Sequence, residues 1–223
     1  MHTECLPANG KRVLRRLKGI VRSHGFVLAG GTALALQIGH RVSVDLDFFS
    51  EEPFPTGFLF KEMEDAGLNP TLMLEEEGTL TTEIEGVKVS MLRYPYPFVE
   101  TKVRWEGFVL AGILDIAAMK VIAISQRGAK RDFIDLYFIL QDVPFRKIAE
   151  SMVNRYGANR INPVNIGKSL VYFDDAEEDP EPRYLKKGGP VWKDVKTFFK
   201  KNVKQMVLDL QDAASTTPIS PLP

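Results

Sequence analysis

Apolar positions recur with a helical period over Lys11 to Ser23, where Val13, Leu14, Leu17, Ile20 and Val21 share one face and basic residues fill the rest. Phe26 to Ala29 is a short apolar run closed by Gly30-Gly31, the pattern of a buried strand and a tight turn. Thr32 is placed to N-cap a helix through Ala33, Leu34, Ala35 and Leu36. Val42 to Phe49 alternates and is rich in strand formers. Phe58 to Ala66 predicts a helix stopped by Gly67. Thr79–Ile84 and Val87–Leu92 predict strands joined by a two-residue turn at Glu85-Gly86. Tyr94-Pro-Tyr-Pro excludes helix. Beyond it the period is helical: Leu114 to Ser125 and Asp132 to Leu140 around an RGAKR turn, then Phe145 to Tyr156, Asn165 to Phe173 and Trp192 to Leu210. In the last of these, Val195, Phe198, Phe199, Val203, Met206 and Val207 form the apolar side.

This order of elements predicts an α+β chain: a mixed α/β core with an N-terminal helix over residues 1–107, a helical region over 108–211, and a disordered tail over 212–223, ending in TTPISPLP. Over 223 residues, 44% hydrophobic and 26% charged residues are those of a globular protein. The net charge is zero, but it alternates in blocks: +5 over residues 1–22, −9 over 41–100, +5 over 101–173, −6 over 174–182 and +7 over 183–204. The zero total therefore excludes a uniformly basic chain without excluding a nucleic-acid partner. The single cysteine, Cys5, forms no intrachain disulfide and falls in what reads as a mobile terminus. No apolar run has the length of a membrane span, and no signal-peptide pattern opens the chain, so a cytoplasmic protein is expected.

The chemistry concentrates in FVLAGGTALALQIGHRVSVDLDFFS, residues 26–50. Asp45 and Asp47 are two apart on a predicted strand, so their carboxylates share a face while Val44, Leu46 and Phe48 take the other. Two carboxylates side by side repel unless a cation sits between them, and oxygen donors of this kind suit Mg²⁺ shared with substrate phosphates. Gly30, Gly31 and Thr32 supply a turn with close backbone approach and helix-start amides that attract phosphate. A Gly-Gly turn or an Asp-x-Asp alone is common punctuation. Their combination points to phosphoryl or nucleotidyl transfer. In the helical half, Lys120 and Arg127 are seven apart and share a helix face, and Lys120 interrupts an otherwise apolar pattern. Arg127 and Lys130 read equally well as a solvated basic turn with local ion pairs.

Gly-Gly-Thr followed after twelve residues by Asp-x-Asp resembles the first motif of the DNA polymerase β-like nucleotidyltransferases. Within that superfamily the chain resembles the AbiEii/AbiGii toxin family of type IV toxin–antitoxin systems. The matching residues are Gly30, Gly31, Thr32, Ala33 and Leu34, then Arg41, Ser43, Asp45, Leu46, Asp47 and Phe48. A second motif matches at Lys120, Ala123, Arg127, Arg131, Asp132, Asp135 and Leu136. The resemblance implies a polymerase β-like core of mixed sheet and flanking helices, with a helical region after it. It implies a Mg²⁺-dependent enzyme moving a nucleoside monophosphate from a nucleoside triphosphate, GTP in some relatives, to an acceptor, a tRNA end in others. It implies an antitoxin partner. It gives Asp45 and Asp47 the metal; Gly30, Gly31, Thr32, Arg41, Ser43, Arg127 and Arg131 the nucleotide; and Lys120, Asp132 and Asp135 catalytic support. One departure stands out. The later strand on which relatives carry a third carboxylate matches VKVSML here, and its inward position is Ser90. That opens an alternative, a weak or inactive nucleotide- or RNA-binding module on the same fold.

His24 and His40 lack a metal-ligand spacing and read as structural or solvated. Trp192, Phe198 and Phe199 on the basic last helix read as core aromatics before they read as an RNA platform.

Overall fold

The apolar runs of the first half pair into one seven-stranded mixed sheet. Its strands are β1 (Val27–Leu28), β2 (Leu46–Ser50), β3 (Thr71–Glu76), β4 (Thr79–Ile84), β5 (Val87–Arg93), β6 (Val103–Trp105) and β7 (Phe108–Leu110), in the order β3-β4-β5-β2-β1-β7-β6. The β2–β5 and β1–β7 pairs are parallel and the other four antiparallel. The structure is a computed structural model that describes residues 1–100, 102–186 and 188–216. The chain divides into two compact units: the first is Met1–Pro97, Thr101–Gly112 and Arg183–Lys186, the second Phe98–Glu100, Ile113–Pro182 and Lys187–Pro223.

In the first unit α1 (Ala8–Ser23) buries the expected stripe of Val13, Leu14, Leu17, Ile20 and Val21. It packs against α3 (Thr56–Asp65) and against β2, β5 and β7. The strand period of two sorts the sheet residues beneath it. Leu46 and Phe48 of β2 stand opposite Val89 and Met91 of β5, and Met91 opposite Leu80 of β4, all buried. α2 (Gly30–Ile38) follows β1 directly and ends at Gly39, whose φ of +64° is the left-handed conformation of a helix C-cap. The Glu85-Gly86 turn has φ of +52° and +72°, the positive pair a type I′ hairpin needs, and the two strands beside it lie where the alternation placed them.

Four expectations change. The strand expected from Val42 starts only at Leu46, because the preceding backbone bonds elsewhere: the Val42 amide donates to the Arg183 carbonyl and the Ser43 amide to the Cys5 carbonyl at 3.0 Å. That second bond also ties down the N-terminus, where Cys5 is fully buried rather than mobile. Burial pushes its thiol up to about 11, so it is no nucleophile at neutral pH. Three strands were missed. Every residue of β3 is exposed, so no alternation marks it. β6 and β7 are three residues each, although Glu106-Gly107 between them repeats the Glu-Gly signal, again with both φ positive. The sheet therefore runs on to Leu110, past the boundary placed at residue 107, and the change of unit falls at Gly112–Ile113.

The second unit is helical: α4 (Ile113–Arg127), α5 (Lys130–Asp142), α6 (Phe145–Tyr156), α7 (Pro163–Ser169), α8 (Asp174–Glu177) and α9 (Trp192–Thr216). Asn162 caps α7 by accepting the Asn165 amide at 3.0 Å. Phe133 gathers Phe173, Trp192 and Phe199 around it with ring centroids 5.1, 5.9 and 5.5 Å away, so Trp192 and Phe199 of α9 are core, while Phe198 is half-buried against Tyr137. The last helix runs on to Thr216, making residues 212–216 helical, and the rest of the expected tail, 217–223, lies outside the described residues. Among the described residues no helix is long and apolar enough to cross a membrane.

Candidate active site

The N-terminus of α2 and the start of β2 converge inside the first unit. Ala29 at the end of β1 donates its amide to the Asp47 carbonyl at 3.0 Å, and the chain turns at once into α2 through Gly30, with φ +65°. A Cβ at Gly30 would stand 2.9 Å from Asp47 Oδ2, so glycine is demanded there by conformation and by contact. A Cβ at Gly31 would overlap the Arg41 guanidinium and come within 3.4 Å of Ser43 Oγ. The first-turn amides of α2 have no acceptor inside the helix.

Thr32 does not cap the helix, since the extended residue before it is Ala29 and Thr32 already lies in the first turn. Instead its buried hydroxyl bridges Ser43 Oγ, 2.8 Å away, and the Asp45 carbonyl. That bridge ties the phosphate-type turn to the segment bearing the aspartates. Arg41 is buried and donates to the Val42 carbonyl at 3.0 Å. Asp45 and Asp47 are both half-buried, and the expected apolar row is closed only at Leu46 and Phe48: Val44 precedes β2 and is 55% exposed. Gly30, Gly31, Thr32, Arg41, Ser43 and Asp47 therefore lie beside one another, and the Asp45 backbone is tied to them through Thr32.

The β2–β5 register sets Ser90 directly against Asp47, and β4 continues that row with Thr81. Ser90 and Thr81 are buried. The position beside Asp47 thus carries a hydroxyl. Glu83 is exposed, and Glu85 turns to Arg12 and Arg16, with Oε1 2.8 Å from Arg16 Nη1. The Arg12 bond comes first among the effects that hold its carboxyl below the usual range. Among the described residues no group of three or more His, Cys, Asp or Glu side chains is placed to hold a metal. The donors that are present, two carboxylates beside a glycine cradle, fit one hard cation that keeps several waters or takes phosphate oxygens.

The second motif forms its own cluster inside the helical unit. Lys120 Nζ lies 2.7 Å from Asp132 Oδ1 and 2.6 Å from Asp135 Oδ2, and all three are buried. Arg127 Nε adds a bond of 2.9 Å to Asp132 Oδ2 while its side chain stays 56% exposed. Burial by itself would raise the Asp132 carboxyl, but Lys120 and Arg127 outweigh it and hold the group below the usual carboxylate range. Arg131 is exposed on the same turn. Lys130 is local structure: its Nζ donates to the Asp179 carbonyl at 2.6 Å, and its amide to Asp179 Oδ2 at 2.8 Å. His24 pairs with Glu62 at 2.7 Å and His40 is buried, so neither stands at a metal site.

No local pattern marks Asp115. It is fully buried on α4, accepts the Val99 and Glu100 amides at 3.1 and 3.0 Å, and pairs with Arg155 Nη1 at 3.1 Å. A pair forty residues apart leaves no local spacing to read.

The profile of the family described as nucleotidyl transferase AbiEii toxin, type IV TA system, matches residues 12–106 and 108–212. The chain belongs to this family. An uncharacterized protein of Aquifex aeolicus is 36% identical over 200 residues, covering 87% of this chain and 94% of its own. JHP933 from Helicobacter pylori shares the fold with a TM-score of 0.56 at 18% identity, over 93% of this chain and 94% of that one. MenT4, a nucleotidyltransferase toxin from Mycobacterium tuberculosis, superposes with a TM-score of 0.50 at 13% identity, each chain covered to 94%. Family membership makes the chain a toxin-type nucleotidyltransferase, as the two motifs suggested.

Proposed function

We propose that the protein transfers a nucleoside monophosphate from a nucleoside triphosphate to an acceptor hydroxyl, with a tRNA end as the acceptor and GTP among the donors. The observation that carries this reading is the press of Gly30 against the Asp47 carboxylate at the start of α2. A phosphate-binding helix start and a cation-binding carboxylate pair then act on the same group. Asp45 and Asp47 would hold Mg²⁺, which when bound supplies charge neutralisation at the α-phosphate and at the leaving pyrophosphate.

In this reading the acceptor oxygen forms a bond to the α-phosphorus as the α–β bridging P–O bond breaks, and pyrophosphate leaves. The Gly30 and Gly31 amides hold phosphate oxygens, Arg41 adds fixed positive charge, and the Thr32–Ser43 bridge keeps turn and aspartates in register. Within the helical unit, Asp132 and Asp135 fix the position of the Lys120 ammonium. The hydroxyl proton passes to solvent, since no side chain is assigned as its base. The type IV family placement supports a cognate antitoxin protein as partner.

Ser90 opposite Asp47 favours one other reading, a nucleotide- or RNA-binding module without transfer. A single assay separates the two. The protein is incubated with α-labelled nucleoside triphosphates, Mg²⁺ and total tRNA, beside Asp45→Ala. Label in RNA that disappears in the variant supports transfer. Nucleotide binding without label transfer supports the module.

A further inference from the structure

The N-terminal helix carries charge that the site above does not use. α1 contains no acidic residue, and Glu4 is the one acid in residues 1–23. Lys11, Arg15, Lys18 and Arg22 follow at intervals of four, three and four, which places them in one row along the helix. At about 1.5 Å per residue, the row is roughly 16 Å long with successive cations about 5–6 Å apart. Arg15, Lys18 and Arg22 are exposed and Lys11 is half-buried. Among the described residues none of the four is in a salt bridge, whereas Arg12 and Arg16, on the other flank of the helix, are both taken by Glu85.

From this row we infer that α1 is a docking face for a phosphodiester backbone, and that it holds the body of an RNA acceptor on the unit that carries Asp45 and Asp47. This rests on the RNA-acceptor reading of the function. Charge complementarity selects the occupant: an uninterrupted row of four cations meets a polymer whose charges repeat at short, regular intervals. An anionic membrane surface fits less well. A membrane-binding amphipathic helix inserts its apolar face, and here Val13, Leu14, Leu17, Ile20 and Val21 are already buried in the protein core. The Lys and Arg stems also differ in reach, so the row binds backbone charge and reads no base sequence.

The test uses the full chain, labelled total tRNA and a fluorescence titration from 50 to 200 mM salt. Four phosphate contacts predict that wild-type binding weakens about 50-fold across that range. In the variant Lys11→Gln, Arg15→Gln, Lys18→Gln and Arg22→Gln, affinity at 50 mM salt should fall about tenfold or more and the slope of log K against log salt should flatten by about 3. A control removing four exposed cations elsewhere, Lys61→Gln, Lys88→Gln, Lys147→Gln and Lys201→Gln, should keep most of the slope. Equal losses in the two variants would reduce the effect to net charge and overturn the proposal, as would unchanged binding in the row variant. Wild-type binding to phosphatidylglycerol vesicles in preference to tRNA, lost with the row, would assign α1 to a membrane and overturn it too. The functional reading fails separately: if Asp45→Ala still transfers label while the row variant loses RNA, the docking face stands and the metal carboxylates do not.

Discussion

The two units each hold a pair of aspartates, and the pairs are built in opposite ways. Asp132 and Asp135 are fully buried, with the Lys120 ammonium 2.7 and 2.6 Å away and Arg127 on the outer oxygen of Asp132. Their charge is satisfied by the protein. Asp45 and Asp47 are half-buried, beside glycines whose missing side chains leave room against Asp47. A buried pair with its own cations binds structure together, because removing one partner strands the other charge. In the proposed function, the half-buried pair beside the glycine turn is the one that would meet an ion and a substrate. The two pairs differ in burial and in what lies beside them, and that comparison can be broken at several points.

The largest effect is expected at the half-buried pair. Asp45→Ala or Asp47→Ala should cut nucleotide transfer on the order of 10⁴-fold, about 5 kcal/mol of barrier, while thermal unfolding moves little. A large loss of melting temperature in these variants would make the pair structural and collapse the comparison. At the closed pair the outcome should invert. Lys120→Met leaves two buried carboxylates without their shared cation and should cost about 3–5 kcal/mol by chemical denaturation. If it melts like the wild type, the cluster carries no structural charge.

A sharper probe is Ser90→Asp, which sets a third carboxylate against Asp47 in the β2–β5 register. Without divalent cation it should destabilise by about 1–3 kcal/mol, from like charge at a buried position. Added Mg²⁺ or Mn²⁺ should return much of that as a rise in melting temperature, larger than any in the wild type. No metal-dependent difference between the two would argue against a cation at this place. The glycine cradle should give a smaller change: Gly30→Ala meets both a positive φ and Asp47 Oδ2, and should cost about 1–2 kcal/mol while weakening nucleotide binding in equilibrium titration.

The mildest effect is pH dependence. The Asp132 carboxyl is depressed in the folded state, so the unfolded chain takes up its proton first as pH falls. Its contribution is complete at neutral pH, starts to be lost near the ordinary aspartate value of about 4, and is gone below the depressed one. Helical circular dichroism between neutral pH and about pH 3 should show this loss in the wild type and a shallower one in Asp132→Asn.

Most of the local structure was legible because it depends on short spacings. The apolar stripe of α1, the ends of α6 and the Glu85-Gly86 hairpin lie where period and turn chemistry put them. β3 was not legible, since an edge strand exposed along its whole length carries no alternation. The grouping of Gly30, Asp45 and Asp47 was readable as strand, turn and strand, and the Lys120–Asp132–Asp135 cluster as residues on two successive helices. The role of Thr32 was misread for a physical reason: a threonine near a helix start has two acceptors available, its own helix or a neighbouring segment, and sequence does not say which is close.

The amino-acid order alone settled most kinds of element and the demand for glycine at the turn, because each follows from angles within a few residues. It also set the charge blocks and the cation row of α1. Register and long-range pairing belonged to the tertiary structure. Only tertiary packing could bring Ser90 opposite Asp47 in the sheet, turn Glu85 to Arg12 and Arg16, or join Asp115 of α4 to Arg155 of α6 across forty residues. Those contacts depend on which elements meet and in what offset, and packing of the whole chain decides both.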